Sequence, residues 1–110
     1  MKIINKITDK NYIQWIENFV ENIIIQSVLE CNEVTIEDVD CDRIYLNIDG
    51  EDYDIRTWSY RPIRLDSNGK VCAEMVRYTL FKMVMDDDNS GHGEELNYGC
   101  VRIEWSNENN

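Results

Sequence analysis

From residue 43 to residue 58 the chain alternates apolar and polar side chains around a single Asp49-Gly50 pair. Asp-Gly accepts positive φ at both central positions, which a two-residue hairpin turn requires. The period of two then decides which side chains share a face. Folding about this turn sets Leu46 opposite Tyr53 and Ile44 opposite Ile55. The opposite face carries Arg43, Tyr45, Asn47, Asp52, Asp54, Arg56 and Trp58. Any fold for this chain must therefore contain an antiparallel sheet with one apolar side to cover.

An amphipathic helix over about 9–29 supplies the cover. Thr8 or Asp9 caps its start, because a short side-chain oxygen satisfies free backbone N–H groups. Tyr12, Ile16, Phe19, Val20, Ile23, Ile24 and Val28 recur every three or four residues. Trp15, Ile25 and Leu29 widen that stripe. Val34-Thr35-Ile36 reads as a short strand. Ser67-Asn68-Gly69-Lys70 reads as a second hairpin turn, flanked by Ile63-Arg64-Leu65 and a long strand from Val71 to Met85. Pro62 marks an edge or a bulge. Residues 86–93 read as a polar loop, 100–105 as a final strand and 106–110 as a polar tail. The expected architecture is α+β: a single domain over 1–110, with one long N-terminal helix packed on an antiparallel sheet of four or five strands, the sheet spanning about 33–105.

The 110 residues include 22 acids and 11 basic residues, a formal net charge of −11. A surface of that sign repels nucleic-acid phosphate and anionic membranes, so long nucleic acids and lipid surfaces are not expected partners. No apolar run approaches the ~20 residues that span a bilayer, and the N-terminus lacks a signal core. The expected location is cytoplasmic. Cys31, Cys41, Cys72 and Cys100 are widely spaced with no Cys-x-x-Cys, which suits buried thiols rather than bridges. His92 is the only histidine, so no metal site and no cofactor are expected. Asp86-Asp87-Asp88-Asn89-Ser90-Gly91 begins like an EF-hand loop, but Asn97 stands where its bidentate Glu is required.

No phosphate-binding glycine loop occurs, and catalysis by a nucleophile and base would rest wholly on His92 in a Gly-His-Gly loop. The chain is therefore read as non-enzymatic. The informative segment has the opposite sign to the whole. Arg56-Thr57-Trp58-Ser59-Tyr60-Arg61-Pro62-Ile63-Arg64 holds three arginines, a Trp and a Tyr, and no acid. Guanidinium forks match phosphate oxygens, and aromatic faces stack on bases. Arg56, Trp58, Tyr60 and Arg61 are thus candidate ligand contacts, with Phe81, Asn89 and His92 following in the next strand and turn. The alternative for the arginines is pairing with Asp52, Asp54 and Asp66, with the aromatics as sheet packing.

The order of an N-terminal helix, a strand with Asp54-Ile55-Arg56-Thr57-Trp58, and Arg77-Tyr78-Thr79-Leu80-Phe81-Lys82-Met83-Val84 before an acidic Gly-His-Gly loop resembles the phage Thoeris anti-defence sponges. The resemblance implies a binder that holds cyclic ADP-ribose isomers without cleaving them, in the cytoplasm of an infected bacterial cell. It also implies a homo-oligomer, a dimer or higher, with pockets near subunit contacts. Ligand contacts would then fall on Arg56 and Phe81, with Asn89 and Arg102 as further candidates. The charge supports a competing reading, an acidic decoy that mimics DNA and inhibits a nucleic-acid-binding defence enzyme. A small nucleotide-modifying enzyme using His92 is a third.

Overall fold

A computed structural model describes residues 1–13 and 15–104 of the chain. The protein is mostly strand, and one sheet curls around a short helix. The strands are β1 (Lys2–Asn5), β2 (Glu33–Asp40), β3 (Arg43–Ile48), β4 (Glu51–Leu65), β5 (Val71–Met85) and β6 (Gly91–Glu104). They lie side by side in chain order. Helices α1 (Lys10–Ile13) and α2 (Ile16–Gln26) fall between β1 and β2. β1 runs parallel to β2, and the other neighbours are antiparallel. A parallel pair needs a crossover, and the helical segment supplies it.

This overturns the expected long helix on four or five strands. The helical pattern over 9–29 is interrupted, with Gln14 outside the described residues. Trp15 sits at φ −122°, ψ −17° ahead of α2. Its backbone N–H reaches back only three residues, to the Tyr12 carbonyl at 3.2 Å. Tyr12, Trp15 and Phe19 pack in series with their rings tilted by 58° and 74°, centroids 5.9 and 5.5 Å apart. At the other end, Val28 turns left-handed at φ 52°. The Val28 and Leu29 N–H groups then close onto the Ile25 and Ile24 carbonyls. Glycine is the usual residue at that closing position. A β-branched residue there carries about 1–2 kcal/mol of strain. Val28 is thereby 85% exposed, and Ile25 also faces outward at 63%. The buried stripe is narrower than expected: Ile16, Phe19, Val20, Ile23 and Ile24.

Several stretches of strand escaped the sequence pattern: β2 runs on to Asp40, β4 is continuous through 59–62, and two further pieces follow. β1 is only four residues and pairs from Lys2↔Glu33 to Asn5↔Ile36. The start of β6, Gly91–Gly93, falls in the stretch read as a polar loop, and 94–99 showed no strand pattern, yet both pair with β5 from Met85↔Gly91 onward. Partner strands override weak propensity there. The expected tail at 106–110 lies outside the described residues.

The Asp49-Gly50 turn forms with φ 49° and 91°. Leu46 pairs with Tyr53 and Ile44 with Ile55. The helix stripe packs into the concave side against Val34, Ile36, Ile44, Leu46, Ile55, Val76, Tyr78, Leu80 and Val101. Each such side chain contributes roughly 1.5–3 kcal/mol of burial. Tyr78 is buried beneath the helix end. Its hydroxyl donates to Gln26 Oε1 at 3.1 Å and accepts from Asn97 Nδ2 at 3.1 Å. Burial pushes the Tyr78 phenol above its ordinary pKa. Tyr78→Phe strips both partners of that hydroxyl and is expected to cost about 1–3 kcal/mol. Urea unfolding checks this, and an unchanged midpoint contradicts it.

The four cysteines are free, but only Cys72 is buried. Cys41 lies in the β2–β3 turn at φ 53°, and Cys100 lies on the face of β6 away from α2. Both are exposed, which corrects the expectation of buried thiols. β3 pairs with β4 only as far as Arg43↔Arg56. Residues 58–65 therefore project as an arm with β5 on one side only. Register shifts at Trp58/Tyr60 and around Pro62–Leu65 break that edge. Bulges, a proline and charges guard an exposed edge against pairing with other chains.

Candidate functional site

Residues directly opposite in a sheet share a face. One rung across β3–β6 is Arg43, Arg56, Thr79 and Tyr98. The next is Tyr45, Asp54, Phe81 and Glu95. On the other side stand Trp58, Arg77 and Cys100, then Arg61, Met75 and Arg102. The alternate positions are the core residues under α2, so this is the face turned away from the helix.

Its centre is Asp54, which is 1% exposed. A buried carboxylate is tolerated only when paired. Asp54 Oδ2 accepts from Arg43 Nη2 at 2.5 Å and Nε at 3.2 Å, and from Arg56 Nε at 3.4 Å. The hydrogen bond to Asp54 raises the Arg43 pKa further. Asp54 Oδ1 is buried without a hydrogen-bond partner among the described residues. One carboxylate oxygen thus holds two guanidinium groups on one surface. Aromatic rings hold them from the side. Arg56 lies 4.3 Å from the Phe81 centroid, Arg43 5.5 Å from Tyr45 and Arg77 5.3 Å from Trp58. Cation–π contact and the carboxylate restrict the Arg43 and Arg56 guanidiniums without consuming all five N–H donors of either.

Of the residues singled out by sequence, Arg56, Trp58 and Phe81 meet in this cluster. Arg61 and Arg102 flank Met75 one rung beyond the Trp58–Arg77 pair. Arg102 and Arg64 both pair with Glu104, at 3.2 and 2.7 Å. Among the described residues no carboxylate lies within ion-pair range of Arg61 or Arg77. Tyr60 leaves the face: the bulge after Trp58 puts it opposite Val76, and its hydroxyl bonds to that of Thr57. Asp52 accepts from Asn47, and Asp66 accepts from the backbone of its own turn; among the described residues Asp54 and Glu104 pair with arginines of this face.

Asn89 and His92 stand apart from the cluster. Asn89 takes φ 67° in the turn between β5 and β6, a conformation asparagine tolerates. His92 Nδ1 lies 3.0 Å from Asp86 in the same turn. It pairs with Val84, five positions along β5 from the Arg56 rung, or roughly 17 Å. In this turn the Ser90 hydroxyl and backbone N–H both donate to Asp88, at 2.6 and 3.1 Å, and hold its carboxyl below the ordinary value. A lowered folded-state pKa contributes stability above the ordinary value, which is lost as pH falls through the lowered one. Ser90→Ala is expected to move the Asp88 pKa upward in a carboxylate NMR titration. An unmoved value contradicts this account of the turn.

Asp54, Arg43 and Arg77 are the site residues that the cationic segment alone missed. The alternation about Asp49-Gly50 already placed Arg43 and Asp54 beside Arg56. Nothing comparable placed Arg77, because the bulges in β4 hide the β4–β5 register. Among the described residues no group of three or more His, Cys, Asp or Glu is arranged to hold a metal. No family model matches the chain, and no curated protein and no solved structure is significantly similar to it.

Proposed function

We propose that the chain is a non-enzymatic binding protein that sequesters a small cyclic nucleotide, a cyclic ADP-ribose isomer, and so silences Thoeris signalling in an infected bacterial cell. The observation that carries this reading is the pair of arginines held by one buried carboxylate beside an aromatic ring. Arg43 and Arg56 offer N–H groups already oriented for phosphate oxygens. Phe81 and the half-exposed Trp58 supply flat apolar surface for a base. A cyclic ligand and a braced site both lose little freedom on binding, which favours affinity. The net charge of −11 repels long polyanions and leaves this face for a compact one.

The test separates three outcomes. Protein incubated with each isomer is desalted and heated, and the released ligand is chromatographed. Intact ligand in near-stoichiometric amount supports sequestration. Altered ligand means catalysis. No retained ligand, with salt-sensitive binding to a basic nuclease instead, supports the acidic decoy.

A further inference from the structure

We propose that the arm carries a second anion site, separate from the Asp54 centre, that takes a compact polyphosphate group: inorganic pyrophosphate or the end of a nucleoside diphosphate. Four arginines build it on the face turned away from the helix. Arg61, Met75 and Arg102 form one rung, and Arg64, Ala73 and Glu104 form the next. Arg77 lies one rung back toward Asp54, 5.3 Å from the Trp58 ring. Rungs on one face repeat every two residues, roughly 7 Å, and β4 and β6 stand roughly 10 Å apart across β5. Arginine side chains are long enough for all four guanidiniums to engage one anion lying over Met75.

Charge marks this patch. A chain with 22 acids and 11 basic residues has carboxylates enough to pair every arginine. At the Asp54 centre one buried carboxylate holds two arginines. On the arm, among the described residues, Glu104 alone pairs with the four: it meets Arg64 at 2.7 Å and Arg102 at 3.2 Å, and both side chains stay half-exposed. Arg61 and Arg77 are exposed, with no carboxylate of the described residues within ion-pair range. Glu74, the other acid of these rungs, stands on the opposite face, across from Pro62 and Ile103. Four guanidiniums against one carboxylate leave a local charge of +3. Like charges held this close repel, and a bound anion relieves them. One phosphate neutralises the patch in part. Two linked phosphates match its charge and offer oxygens for several bidentate forks.

Calorimetry and arginine NMR of the full chain with inorganic pyrophosphate test this. Pyrophosphate is expected to saturate, to raise the melting temperature, and to shift the Nε–H signals of Arg61, Arg64, Arg77 and Arg102 ahead of those of Arg43 and Arg56. Sulfate and AMP, with less charge, are expected to bind about tenfold more weakly. ADP bound as tightly as pyrophosphate supports a nucleotide end as the ligand, and ADP bound far more weakly supports free pyrophosphate. Arg61→Gln and Arg77→Gln are each expected to weaken pyrophosphate about tenfold. The Arg56 rung is four positions along β5 from Met75, roughly 14 Å and beyond the ~10 Å screening length at 0.1 M salt. Arg56→Ala is therefore expected to change pyrophosphate affinity by less than about twofold. No saturable pyrophosphate binding overturns the proposal. So does sulfate matching pyrophosphate, a loss in Arg56→Ala as large as in Arg61→Gln, or NMR shifts that begin at Arg43 and Arg56. The titration uses no cyclic nucleotide, so it can succeed or fail whatever the isomers do.

Discussion

Arg56→Ala is expected to weaken binding of a cyclic ADP-ribose isomer by about 1.5–3 kcal/mol, roughly 10- to 150-fold. The side chain stands where three features meet. It touches Asp54 at 3.4 Å, covers Phe81 at 4.3 Å and remains 43% exposed. On the proposed reading, its loss removes a charge-assisted contact to phosphate; it also uncovers the Phe81 ring. The fold should tolerate the change, because Arg43 still pairs with Asp54 at 2.5 Å. Arg56→Lys keeps the charge but loses the planar fork and the stacking surface, so it should restore only part of the affinity. Isothermal calorimetry on the three proteins checks the order wild type, lysine, alanine. Equal affinities would remove Arg56 from the site.

Phe19→Ala has the largest expected effect on stability, a loss of about 3–5 kcal/mol. That is a large share of the 5–15 kcal/mol that holds a typical domain together. Phe19 is 1% exposed, at the middle of the helix stripe that fills the concave side of the sheet. It also carries the edge contact to Trp15, 5.5 Å away. An 11-residue helix has little stability of its own and persists through packing. Losing the largest helix side chain in the core therefore loosens helix and sheet together. Urea unfolding by circular dichroism measures it, and a loss below ~1 kcal/mol would contradict the packing described.

The central hairpin was legible because its turn and its alternation agree. Asp49-Gly50 fixes the register, and the register fixes which of Arg43, Asp54 and Arg56 are neighbours. The helix was legible in place but not in length. Periodicity sees apolar spacing and misses the backbone break at Trp15 and the left-handed Val28, which tertiary packing imposes. β1 was too short to show a pattern. The Gly-His-Gly-Glu-Glu start of β6 looks like loop until β5 is beside it. The same limit governs the site. Phe81 and Arg56 lie 25 positions apart in sequence, and only the β4–β5 pairing brings them within 4.3 Å. Asn89 and His92 follow Phe81 closely in sequence, yet the strand carries them to the far turn.

The most direct test of the binding face is calorimetric titration of the wild-type chain with cyclic ADP-ribose isomers at 50 and 300 mM salt. The account predicts saturable binding that weakens at the higher salt and weakens further in Arg43→Ala and Arg56→Ala. No heat with any isomer, or binding indifferent to both substitutions, would contradict it.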